Sequence, residues 1–238
     1  VKKEEISWAL PVFSKFWKHI KLEYGQFGAD PRLYLGIHQG RFVGSHVASH
    51  LDASHDFRNT IDFGAASLAQ TPANVSHLVA RMASLVEHFN NGVRGGPAAL
   101  IWRGHWASLF ELDLYVAAGM DAEAQELHGR LLTTMDAHPR PGTHWYRDWF
   151  LPIWQEHGRV KVLAKFFGLL AKHFPKRADV SGRGMAYTRT MNWGEFVHFM
   201  SGAAGRDLKP LAAIAFGWPA DWEAQLTGAK QEFPGVVY

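Results

Sequence analysis

Apolar side chains at Ile6, Leu10, Phe13, Phe16, Trp17 and Ile20 recur three and four positions apart, the spacing of one helix face. Pro11 suits a first helical turn, where its missing N–H costs nothing, so the pattern predicts a helix beginning near residue 11. Beyond the GQFGADP turn the period shortens. Residues 33–38 (LYLGIH) read as a short buried strand, GRFVGSHVASHLD as a further extended segment, and residues 60–64 (TIDFG) as the end of a third strand. Helical spacing returns after Pro72, where Val75, Leu78, Val79, Met82, Leu85, Val86 and Phe89 form one stripe that Asn91-Gly92 stops. The opposite stripe carries His77, Arg81, Ser84 and His88. Residues 106–118 are apolar around most of the circumference, which predicts a buried helix. Further helices are expected at 122–136, 145–155, 160–173, 193–204 and 207–216, with PRPGTH and PKRADVSGRG as the main loops. The predicted class is α+β: a β-containing region packed on helices over residues 1–120, then a mainly helical subdomain over 121–238.

The chain's 238 residues can bury a sizeable core in one domain or two packed halves, so folding requires no cofactor. Ten Trp and sixteen Phe exceed ordinary usage. Core packing accounts for them, unless several rings lie exposed on one face as a stacking groove for sugar or peptide. The formal charge of +3 comes from scattered residues, without the dense Lys/Arg stripe of a nucleic-acid-binding protein. No run approaches the roughly 18 apolar residues of a membrane span. The absence of cysteine excludes disulfides and Cys-ligated metal.

Candidate chemistry is dispersed. His38, His46, His50 and His55 with Asp52 and Asp56 are the densest set of potential ligands. In an extended segment, however, His46 and His50 stand about 13 Å apart, too far to share an ion. Glu195 and His198 have the spacing used in di-iron bundles, but such centres need a second pair and two more glutamates, so capping and packing account for them. Asp207 suits a helix N-cap. There is no Gly-x-Ser-x-Gly elbow, and GVRGGP lacks the Lys-Ser/Thr ending of a phosphate loop. Carboxylate pairs Glu111/Asp113 and Asp52/Asp56 have the residue types of glycoside hydrolysis, whose outcome depends on their separation.

Three segments taken in order resemble bacterial secreted zinc metallopeptidases of the gluzincin type: LYLGIHQGRFVGSHVASHLDASHDFRNTIDFG, NNGVRGGPAALIWRGHWASLFELDLYVAAG and NWGEFVHFMSGAAGRDLKPLAAIAFGW. The resemblance spans roughly residues 24–218 and implies metallopeptidase-like helices beside the N-terminal strands. It also implies a secreted or periplasmic location. Such a core needs His-Glu-x-x-His, two imidazoles one turn apart holding zinc and a glutamate activating water, yet no His-Glu pair occurs in the chain. Anchoring the metal helix on NNG puts Arg81, Met82 and Leu85 at the three positions. One turn back they are His77, Leu78 and Arg81; a forward shift gives Val86, Glu87 and Asn90. The third ligand, a glutamate in the family, maps to Ser108, with Glu111 one turn on.

A guanidinium does not ligate zinc, and neither a thioether nor an alkyl chain serves as a base. The resemblance therefore implies a degenerate site, with no catalytic residue, no metal ligand and zinc expected to be absent. Arg81 is expected to stand in electrostatically for the metal by pairing with Glu111 or Asp113. The functional expectation is a pseudoenzyme that binds peptide, glycan or protein in a remnant cleft lined by His77, Arg81, Ser84, Ser108, Glu111, Asp113, His46 and His50. The alternative is a divergent hydrolase, either zinc-dependent through non-standard ligands or carboxylate-based.

Overall fold

A computed structural model describes residues 7–39, 44–65 and 71–238. Helix α1 (Ala9–Glu23) buries Phe13, Phe16, Trp17 and Ile20, the stripe set by its apolar period. Three strands follow: β1 (Leu33–Gln39), β2 (Gly44–Ala48) and β3 (Asn59–Ala65). Their order is β1-β3-β2, with β1 parallel and β2 antiparallel to β3. Leu35, Ile61, Val47 and Phe63 lie on the face turned to the core. The other face carries Gly36, Asp62 and His46 in one cross-strand row. Asp62 accepts hydrogen bonds there from His38 (3.1 Å) and His55 (3.0 Å). Gly36 makes room for this, since a Cβ at residue 36 would sit 2.3 Å from Asp62 Oδ1. The first four residues of the predicted second extended segment, 40–43, lie outside the described residues.

Helix α2 (Pro72–Phe89) starts from Thr71, whose side chain caps the Asn74 amide, and has proline in its first turn. After β4 (Val93–Arg94) and the short α3 (Ala99–Trp102) comes α4 (Trp106–Ala118), buried along most of its length as its uniform apolarity predicts. Then follow α5 (Asp121–Thr133), a π-helical segment (Trp145–Phe150) running into α6 (Leu151–Glu156), and α7 (Val160–His173). Strands β5 (Lys176–Ala178) and β6 (Met185–Tyr187) precede α8 (Trp193–Ala204), α9 (Lys209–Phe216) and α10 (Ala220–Glu232).

The architecture is α+β: a three-stranded mixed sheet with helices, then a mostly helical part holding a second small sheet, β4-β6-β5. That second sheet falls where the sequence reads as bends and loops. Its strands are two or three residues long, too short for a two-residue alternation to register. Asp207 is not the N-cap of α9, which begins after Leu208, although the Asp207 carboxylate does accept from the Lys209 amide.

A continuous buried cluster runs from Ala9 to Val236 and crosses residue 120. At its centre Trp102 meets Trp106, Phe166, Phe167 and Phe196. The aromatic surplus is spent there, and no Trp, Phe or Tyr is among the large apolar side chains exposed in the described residues. Glu195 completes a capping box with Asn192, and His198 is buried against Phe233 and Tyr238.

Candidate binding site

Helices α2, α4 and α5 leave between them a cavity of ≈ 570 Å³. Its floor comes from two helices. Glu111 and Tyr115 are four apart on α4 and so share a face, and the Tyr115 hydroxyl donates to Glu111 Oε1 at 2.7 Å. Ser76, in the second turn of α2, donates its hydroxyl to the same oxygen. Glu111 Oε2 has no hydrogen-bond partner among the described residues, although Glu111 is 8% exposed and lines the cavity. Burial, followed by the hydrogen bond to Glu111, pushes the Tyr115 hydroxyl far above its usual range, so it remains a protonated donor. On the α5 side Glu123, Glu126, Leu127 and Arg130 project from one helical stripe, while Thr71 and Pro72 bring the first turn of α2 to the mouth.

Asp113 is two residues from Glu111, hence about 200° round α4, and faces α1 and α6. It accepts from His19 Nε2 at 2.7 Å and from Trp154 Nε1 at 3.4 Å. Ser108 lines a separate cleft of ≈ 30 Å³ with His105, Asp136 and Trp145. His77 lies against the sheet, bonded to Ser45 Oγ at 2.7 Å, its ring edge-on to Phe63. Burial and then the neighbouring Arg81 charge lower its pKa. Ser84 offers its carbonyl to His88 at 3.0 Å. His46 packs against His55 with ring centroids 5.2 Å apart, whereas His50 bonds Asn59 and is held low chiefly by burial. The eight residues of the expected cleft are thus distributed over several places, with Glu111 in the large cavity.

The expected pairing of Arg81 with an acidic group of α4 does not form. Arg81 has no ion pair among the described residues, and its Nε is buried without a hydrogen-bond partner. Glu111 lines a cavity whose lining does not include Arg81, and Asp113 is taken by His19 and Trp154. Glu87 spends both oxygens on indoles, accepting from Trp102 at 2.6 Å and Trp106 at 3.2 Å. Among the described residues no group of three or more His, Asp or Glu is arranged to hold a metal ion.

Sequence reasoning selected Glu111 but missed Ser76, Tyr115, Glu123, Glu126 and Arg130. The Glu111–Tyr115 spacing and the 123/126/127/130 stripe were the available signals; Ser76 had none, because its role depends on how α2 crosses α4. No protein-family model, curated protein or solved structure matches this chain.

Proposed function

We propose that this chain is a non-catalytic, metallopeptidase-like binding domain that holds a peptide in the cavity floored by Glu111. The observation that carries the reading is the buried carboxylate, fixed through one oxygen by Ser76 and Tyr115 while the other has no hydrogen-bond partner among the described residues. A cavity of this volume falls in the range of small-molecule and peptide side-chain sites. Peptide is favoured over glycan because the large exposed apolar side chains of the described residues include no aromatic ring on which a sugar would stack.

A second reading, a carboxylate-based hydrolase, rests on the Ser76 contact, since a serine that donates to a carboxylate has the geometry of a nucleophile beside a base. Against it, the same Glu111 oxygen also accepts the Tyr115 hydroxyl, so it is shared between two donors and not reserved for Ser76. The test is calorimetric titration of the full chain with defined hexapeptides, followed by mass spectrometry of those peptides after incubation. Saturable one-to-one binding of intact peptide, abolished by Ala73→Trp at the cavity wall, is expected. Peptide cleavage lost in Ser76→Ala would overturn the reading in favour of the hydrolase.

A further inference from the structure

The chemistry of the cavity floor selects among peptide side chains. Ser76 and Tyr115 each give a hydroxyl hydrogen to Glu111 Oε1. Their oxygens therefore retain lone pairs and have no hydrogen left to donate. Together with Glu111 Oε2, these oxygens make the floor a set of acceptors on residues that line one cavity. A ligand that matches it must bring donors.

The wider electrostatics agree. Glu111, Glu123, Glu126 and Arg130 all line the cavity, three carboxylates against one guanidinium, a formal −2. The positive end of the α2 dipole at Thr71 and Pro72 offsets part of this, but an anion would still meet the carboxylates. Val75, Met120 and Leu127 supply apolar wall, suited to the methylene stem of a long cationic side chain whose head reaches the floor.

Two cations fit that description, and their geometry separates them. A guanidinium is held best by a fork of two parallel bonds to both oxygens of a carboxylate, but Glu111 has one oxygen already saturated. An ammonium is a compact charge with three donors and needs no fork, so the one open oxygen of Glu111 suffices for it.

We infer that the cavity is a lysine-recognition pocket, which takes the ammonium of a peptide lysine on Glu111, Ser76 and Tyr115. This rests on the peptide-binding reading above and narrows its ligand. The experiment is calorimetry on the full chain with one hexapeptide in four versions, carrying lysine, arginine, Nε-acetyl-lysine or norleucine at the same position. The lysine peptide is expected to bind at least about tenfold more tightly than the other three. Glu111→Gln should erase that preference, and Tyr115→Phe, which removes one acceptor and keeps the ring, should reduce it severalfold. Norleucine or arginine binding as well as lysine would overturn the lysine assignment, as would an undiminished preference in Glu111→Gln with native-like melting. If Ala73→Trp still abolishes binding in that case, the cavity remains the peptide site; if Ala73→Trp changes nothing for any peptide, the peptide-binding reading itself falls.

Discussion

His19 and Asp113 join α1 to α4 by a 2.7 Å contact between half-buried and buried partners. The Asp113 hydrogen bond, outweighing burial, raises the imidazole pKa above its ordinary 6.5. A raised folded value contributes stability that is complete below the unfolded pKa and is lost as pH rises through the folded one. The melting-temperature gap between the native chain and His19→Gln should therefore be widest below about pH 6.5 and close as pH rises above it; a gap that widened toward alkaline pH would refute the assignment. The sequence marked Glu111 and Asp113 as chemically notable. It could not separate their fates, because these depend on side chains 35 and 94 residues away, Ser76 and His19. Asp62 shows the same limit. His38 and His55 stand out in the sequence as possible ligands, while the carboxylate they share arrives only through the pairing of β1 with β3.

Helices α7 and α8 end where their apolar periods end, and α2 and α4 also coincide with the reading, because each owes its stability to a face or circumference fixed by local spacing. Helix α10 escaped notice since it buries Trp222, Leu226 and Ala229 in an otherwise exposed polar segment. What seats it is a glycine on its neighbour. A Cβ at Gly194 in α8 would lie 2.1 Å from the Leu226 amide nitrogen. Gly194→Ala is thus expected to destabilise the fold by about 1–3 kcal/mol through overpacking. Gly228, on α10 itself, has open space around its Cβ position, so Gly228→Ala should instead stabilise by roughly 0.5–1 kcal/mol from helix propensity alone. Denaturant unfolding of the two variants measures both signs; equal effects would show that backbone approach does not control the α8–α10 contact.

Arg94 ties the two sheets together. Its Nη1 donates to Asp52 in the turn after β2 at 2.7 Å, its Nη2 to the Leu51 carbonyl at 3.1 Å, and its Nε to Asp179 beyond β5 at 2.9 Å. Ser181 and Arg94 hold the Asp179 carboxyl below its usual range. For Asp52, where burial pushes upward, the Ser49 amide and Arg94 prevail. Arg94→Met would leave Asp179 with Ser181, and Asp52 with Ser49, as remaining hydrogen-bond partners, at a cost of about 1–2 kcal/mol at neutral pH. Both carboxylates have depressed values, so their contribution is present above the unfolded carboxylate pKa near 3.9 and lost as pH falls through the folded one. The deficit of Arg94→Met against the native chain in urea unfolding should accordingly shrink on acidification toward that range.

In the first sheet the central strand is the last of the three to be made. Strands β1 and β2 follow one another along the chain, yet among the described residues they do not pair; each bonds to β3. A growing polypeptide that has produced both therefore owns two edges and no ladder, with backbone groups open to any passing strand. Until residue 65 has been made, no strand of this sheet can cover those edges, and only water satisfies their backbone groups.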